Sequence, residues 1–209
     1  DLCDELLITE GSGLTVRSPN SGFEVPVGAS NLINQALKFV NRTADVTLIK
    51  KIPAGAGLGG GSTNAAGILR WAEFKDPIAA SKLGADVAFC LNGGRARVTG
   101  IGETLEHLPY RRQEMTLLTP PIGLSTPDVY RAWDELDGPA GENGNDLEAA
   151  ALTVEPQLAE WRDALSDATG QTARLAGSGG TWFVEGTHGP FTYRGTTSVN
   201  VVTVPAQHQ

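Results

Sequence analysis

The chain has 209 residues, 40% of them hydrophobic, and a formal net charge of -8. That length supports one large domain or two small ones with a real core. No run approaches the roughly 18 apolar residues of a membrane span, and the acidic balance argues against nucleic acid as the main partner while leaving small phosphorylated ligands open.

The N-terminal stretch "DLCDELLI" lacks the charged and apolar regions of a signal peptide and reads as the interior of something longer, so upstream sequence is expected. Leu6–Thr9 and Leu14–Arg17 are short strand-like runs with "EGSG" between them, which predicts a hairpin. In "ASNLINQALKFVNR", Leu32, Ile33, Ala36, Leu37 and Val40 recur at helical spacing behind Ser30 or Asn31 as cap. "DVTLIKKI" alternates as a strand, with Pro53 as its stop. Glycines follow, and then Ala65, Ile68, Leu69 and Ala72 mark a helix. "DPIAASKLGAD" predicts a short helix with Pro77 in its first turn and Gly84 as its end. "GRARVTGIGETLEHLP" holds a strand pair around Gly100–Gly102.

A new unit begins near "MTLLTPP" with a strand at Met115–Thr119. "STPDVYRAWDEL" predicts a helix opened by Ser125 or Thr126, and residues 137–145 a polar loop. Leu158, Trp161 and Leu165 share a helical face. "TARLAGSGGTWFVEGT" has the pattern strand, glycine turn, strand, and "TSVNVVTV" is a last strand. Strands and helices alternate without a strict βαβα rhythm, which predicts an α+β architecture. Cys3 and Cys90 form no paired motif and are expected as reduced, mostly buried thiols. His107, His188 and His208 show no zinc spacing and are expected on the surface or in loops.

The stretch "KKIPAGAGLGGGSTNAAGILR" carries the chemistry. Five of the seven residues from Gly55 to Gly61 are glycine, directly ahead of a helix. Residues without Cβ bring backbone amides close to a ligand, and the helix adds unpaired N–H groups and a positive dipole end, which together suit an anion. Gly55-x-Gly57-x-x-Gly60 matches a dinucleotide fingerprint with Asp76 at the right distance, but "WAEFKDPIAA" is not the strand that fingerprint needs. No Gly-Lys-Ser/Thr follows, so the loop is not a Walker A motif. A tight strand–helix turn is the bland alternative. A second glycine turn in "LAGSGGTWF" tips the balance, because two such loops suit a nucleotide polyphosphate better than packing twice.

"IPAGAGLGGGSTNAA" closely resembles the central ATP-binding motif of the GHMP kinases, and "LAGSGGTWF" their third motif. "LGADVAFCLNGGRARVTGIGETLEHL", "LSTPDVYRAW", "GNDLEAAAL" and "SNLINQAL" resemble stretches of the branch that phosphorylates 4-diphosphocytidyl-2-C-methyl-D-erythritol. The resemblance implies a GHMP fold of two layers: an N-terminal mixed-sheet layer over residues 1–110, a C-terminal α/β sandwich over 111–209, and a nucleotide groove between. It implies transfer of the ATP γ-phosphate to the 2-hydroxyl of the CDP-linked methylerythritol, with Mg2+, in non-mevalonate isoprenoid precursor biosynthesis. The expected setting is a cytoplasmic monomer or weak homodimer. A nucleotide-binding protein with little or no kinase activity is the alternative.

The same resemblance implies roles residue by residue. Pro53, Gly55, Gly57, Leu58, Gly59, Gly60, Gly61, Ser62 and Thr63 would hold the phosphates, with Gly177, Ser178 and Gly179 closing over them. Asn31, Lys50 and Asn64 fall where the family contacts adenosine. Asp86 matches the carboxylate that takes the hydroxyl proton; from the sequence alone it would instead cap a helix over 87–91. Thr126 and Tyr130 align with the cytidine side, though Tyr130 also fits an ordinary amphipathic helix beside Trp133. The family's opening strand, of the type P-A-K-x-N-L with its catalytic lysine, and its D-G-Y-H-x-L stretch have no counterpart in these residues. The segment between "STNAA" and "LGADV" is also shorter than the family's, by about twenty residues on the loop-and-helix scale. A fragment or a short divergent member is therefore expected.

Overall fold

The computed structural model describes residues 1–18 and 25–205, so His208 lies outside the described residues. Contacts divide the chain into two units. One comprises Leu2–Ile52, Gly59–Arg112 and the C-terminal residues from Val204; the other comprises Asp1, Pro53–Leu58 and Gln113–Thr203. Among the described residues no helix is long and apolar enough to cross a membrane.

In the first unit the chain runs β1 (Glu5–Thr9), β2 (Gly13–Arg17), α1 (Leu32–Phe39), β3 (Asp45–Ile49) and α2 (Gly60–Trp71). It continues through α3 (Pro77–Ala80), a 3-10 turn at Ser81–Leu83, α4 (Ala85–Asn92) and the hairpin β4 (Arg95–Thr99) and β5 (Thr104–Leu108). Asn31 is the cap of α1, accepting from Ile33 N and donating to Pro26 O. The helices follow the apolar spacing, and Ile33, Leu37, Ile68, Leu69, Val87 and Leu91 meet in one core. Burying each such side chain contributes roughly 1.5–3 kcal/mol.

The expected β1–β2 hairpin does not form. The sheet order is β1-β3-β2, with β3 antiparallel to β1 and parallel to β2. Val46 and Leu48 of β3 are fully buried, whereas β1 and β2 each offer one half-buried apolar face. Register sets Leu6 and Val16 beside Leu48, and Ile8 and Leu14 beside Val46. Placing the most buried strand in the centre gives the six side chains one continuous apolar face against the core, which a β1–β2 hairpin with β3 at an edge would break. The strand ends at Ile49, short of Pro53: Lys50 N still bonds Arg17 O, and an acidic side chain captures the amides of Lys51 and Ile52 (below).

The second unit holds β6 (Glu114–Leu118), α5 (Thr126–Glu135), α6 (Glu148–Val154), α7 (Leu158–Thr169), β7 (Arg174–Leu175), β8 (Trp182–Glu185), β9 (Thr192–Tyr193), β10 (Thr196–Thr197) and β11 (Val199–Val202). β11-β6-β8-β7 form an antiparallel sheet, and β9 pairs with β10. Leu158, Trp161 and Leu165 of α7 are buried with Leu118, Leu175, Trp182 and Val184. Ser125 opens α5, with Pro127 in its first turn. The alanine-rich α6 and the β9–β10 pair were not expected from periodicity. Cys3, ahead of β1, is exposed, not buried as expected; Cys90 is half-buried, and both are free thiols. His107 is exposed, and His188 lies in the loop after β8.

Candidate functional site

In the first unit, α2 begins without a side-chain cap. Gly59 is its N-cap at φ +67, and no side chain bonds to the helix's opening amides. The first protected amide is that of Thr63, which donates to Gly59 O at 2.9 Å, while Thr63 Oγ1 donates to the same oxygen. The N–H groups of Gly60, Gly61 and Ser62 therefore have no acceptor among the described residues. A twelve-residue helix with its first amides open and its dipole uncompensated offers an anion both hydrogen bonds and a favourable field.

Below that helix end sits a buried charged cluster that no sequence motif announces. Asp4 Oδ1 accepts from Lys51 N at 2.7 Å and Ile52 N at 2.8 Å. Its Oδ2 accepts from Lys50 Nζ at 2.6 Å and Asn64 Nδ2 at 3.0 Å. Lys50 Nζ also donates to Ile52 O, and both charged side chains are almost fully buried. Thus Lys50 and Asn64, expected at the adenosine, each give a hydrogen bond to Asp4, and Asn31 caps α1. Asn64 Oδ1 keeps no protein partner among the described residues.

Burial by itself would raise the Asp4 pKa. The hydrogen bonds from Lys50, Ile52 and Lys51, and the Lys50 charge, outweigh it and hold the carboxyl below its ordinary value. A carboxyl depressed in the folded state stabilises the protein fully above its unfolded value, about 3.9, and that contribution is lost as pH falls through the lower folded value. Urea midpoints measured from pH 5 down to pH 2.5 are expected to fall more steeply for the native chain than for Asp4→Asn. Parallel profiles would contradict this.

Asp86 lies in the first turn of α4 and is exposed, with no hydrogen-bond or ion-pair partner among the described residues. Gly84, not Asp86, is the N-cap, so the capping reading fails. One turn further along, Cys90 Sγ lies 3.6 Å from Thr63 Oγ1 at the start of α2. Burial, chiefly, pushes the Cys90 thiol up, with a smaller push from the Asp86 charge. It is a poor nucleophile there.

In the second unit the two glycine segments lie against each other. Thr181 N donates to Ala56 O at 3.1 Å, Gly179 N to Ala176 O at 3.0 Å, and Leu124 N approaches Gly55 O at 3.5 Å. Gly55 O, Ala56 O and Ala176 O are thereby occupied, whereas the amides of Gly57, Leu58, Gly177 and Ser178 have no protein acceptor among the described residues. The packing tolerates no side chain at Gly57, whose φ is +73. A Cβ there would lie 2.1 Å from Ala176 O and 2.7 Å from Gly179 O. Asn145 holds the second loop from outside, Nδ2 donating to Leu175 O at 2.9 Å and Gly177 O at 2.8 Å while Oδ1 accepts from Leu147 N. Sequence reasoning assigned it no role; the Asn-Asp pair ahead of an alanine-rich run was its only signal. Thr126 Oγ1 and Ser178 Oγ share a hydrogen bond of 2.8 Å, which joins the start of α5 to the glycine turn. Tyr130, one turn along α5, is half exposed.

Comparison with known proteins bears on the family and the fold. Residues 27–94 match the model of the GHMP kinases N terminal domain. A 4-diphosphocytidyl-2-C-methyl-D-erythritol kinase from Paracoccus denitrificans is 37% identical over 172 residues, covering 73% of this chain and 63% of the relative. The enzyme of that name from Cereibacter sphaeroides (strain ATCC 17025) is 34% identical over 202 residues, covering 83% and 72%. The chain thus spans 63% and 72% of the lengths of these two relatives. A crystal structure of 4-(cytidine 5'-diphospho)-2C-methyl-D-erythritol kinase superposes with a TM-score of 0.68 at 31% identity, over 90% of this chain and 78% of that one. A homoserine kinase from Cytophaga hutchinsonii shares the fold at 19% identity, with a TM-score of 0.58 over 97% of this chain and 86% of that one.

Proposed function

The chain belongs to the 4-diphosphocytidyl-2-C-methyl-D-erythritol kinase family of the GHMP kinases, and from that premise we propose that it transfers the γ-phosphate of ATP to the 2-hydroxyl of that CDP-linked methylerythritol. The product would be an intermediate of non-mevalonate isoprenoid precursor biosynthesis. The observation that carries the reading is the set of backbone amides left without acceptors at the α2 start.

In this reading Gly59–Thr63 binds phosphate oxygens through the first-turn amides and the helix dipole. Pro53–Leu58 and Gly177–Gly179 would supply further amides from loops in which Gly55 O, Ala56 O, Ala176 O and Gly177 O are already taken. Fixed N–H dipoles need no reorganisation as charge builds on the transferring phosphoryl group, which is where most of the rate gain in phosphoryl transfer lies. Asp86, exposed and uncommitted, would orient the 2-hydroxyl and take its proton as oxygen attacks phosphorus and ADP leaves. Thr126 and Tyr130 would bind the cytidine, Tyr130 offering a ring face for stacking.

Among the described residues no group of three or more His, Cys, Asp or Glu side chains could cage a metal. Mg2+ brought with ATP would be held chiefly by phosphate and water oxygens, with one or two protein oxygens added. Ser62, whose hydroxyl has no partner in the described chain, would be such a ligand, and the ion would neutralise phosphate charge.

The test is a 31P NMR assay of the chain with MgATP and 4-diphosphocytidyl-2-C-methyl-D-erythritol. The expected result is one new phosphomonoester signal and one ADP per substrate consumed, with no turnover of homoserine or mevalonate. ADP formation with homoserine or mevalonate, and none with the CDP-linked alcohol, would overturn the assignment.

A further inference from the structure

We propose that Asp4 is a positioning residue for nucleotide binding, fixing on one carboxylate both the chain that enters the glycine loop and the helix that leaves it. The inference rests on the nucleotide reading above.

β-Sheet register creates the arrangement. The last pair of the β1–β3 ladder is Glu5 with Ile49, so Asp4 and Lys50 are the next residues on either side. The ladder stops there because the Asp4 carboxylate replaces it: Oδ1 takes the amides of Lys51 and Ile52, the two residues that lead into Pro53. Oδ2 takes Asn64, in the first turns of α2, and the ammonium of Lys50. Lys50 is held from its other side by Ile52 O and by its own amide on Arg17 O.

Gly60 shows how closely the helix sits on this cluster. A Cβ at that position would lie 2.9 Å from Lys50 Nζ and 3.1 Å from Ile52 Cγ2. The open amides of Gly60, Gly61 and Ser62 are therefore aimed by a helix end that rests on an ion pair. The loop's entry at Ile52 and its exit at Gly60 are both referred to Asp4. A carboxylate with four donors is satisfied in a way that a neutral amide is not. The side chain of Asp4→Asn could accept at one oxygen only, and would leave the buried ammonium without a counter-charge.

A merely stabilising ion pair would affect melting and nothing else, so the experiment separates the two. MgADP affinity is measured by calorimetry, at a temperature where circular dichroism shows every protein folded, for the native chain, Asp4→Asn, Asn64→Leu and the core control Val46→Ala. Val46 lies in the same sheet, remote in register from the cluster. Amide hydrogen exchange is followed at Thr63, the first protected amide of the α2 start, relative to amides at the C-terminal end of that helix. The expected result for Asp4→Asn is MgADP binding weakened at least tenfold and Thr63 exchange accelerated at least tenfold. Asn64→Leu is expected to show a smaller loss of the same kind. Val46→Ala should lower the melting temperature while leaving affinity within about twofold.

Native affinity and native Thr63 exchange in Asp4→Asn would overturn the proposal, as would an equal affinity loss in Val46→Ala. If Asp4→Asn does not fold, Asn64→Leu decides by the same two readouts. If the native chain binds no MgADP, the nucleotide reading fails by itself, and unchanged Thr63 exchange in the variants would then overturn the positioning role.

Discussion

Asp86→Asn is expected to lower turnover by about 10²–10⁴, with MgATP affinity within a few-fold of the native chain. The amide keeps the size of the side chain and can still hydrogen-bond a hydroxyl, but it cannot take the proton. Its position separates this from a structural effect. Asp86 is exposed in the first turn of α4, Gly84 caps that helix, and no side chain or backbone group of the described residues is bonded to the carboxylate. Its only structural contribution is the favourable charge near the helix N-terminus, about 0.3–1 kcal/mol. Thermal unfolding should therefore move little while turnover collapses. Single-turnover quench-flow with saturating MgATP would read the chemical step directly. Native turnover in the variant would leave Asp86 as a surface residue at a helix start.

How much of this was legible beforehand follows from what each feature depends on. α1, α2, α5 and α7 were readable because a 3.6-residue apolar period is local, and the core then uses the residues it marks. Strand order was not readable. β1 and β2 are adjacent in sequence and look like a hairpin, and only the burial of Val46 and Leu48 shows why β3 takes the place between them. The glycine loops were legible as backbone built for close approach, and "GADV" placed Asp86 on a helix start, though not at the cap it resembled. Asp4 was not legible: it is one acid in an acidic opening stretch, and its meaning depends on an antiparallel register that sets it beside Lys50. An alternating strand flanked by an acid, and a later one followed by a lysine, was the signal available. It acquires force only once the two strands are known to pair.

The glycines make the same point with a measurable consequence. In "GAGLGGG" every glycine looks equally suited to phosphate, yet the structure ranks them. Gly57 and Gly59 both have positive φ, at +73 and +67, so alanine at either position carries the left-handed strain of about 1–2 kcal/mol. Around Gly59 nothing lies within 4 Å of a Cβ, so that strain is the whole cost. At Gly57 the new carbon would meet Ala176 O and Gly179 O, both backbone atoms that cannot swing aside as a side chain could. The contact is mutual, since a Cβ on Gly177 would lie 2.8 Å from Gly57 O, and one on Gly180 would lie 2.8 Å from Gly55 O. Relieving the overlap requires the two loops to part, which adds about 1–3 kcal/mol and breaks the registration of their free amides. Gly57→Ala is therefore expected to lower the melting temperature more than Gly59→Ala and to weaken MgATP binding at least a hundredfold, about 2.7 kcal/mol. Gly59→Ala should weaken it about tenfold or less. Calorimetric titration of the two folded variants checks the order. If Gly59→Ala proves the more damaging, the approach of phosphate to the helix start governs the site, and the packing of one glycine loop on the other does not.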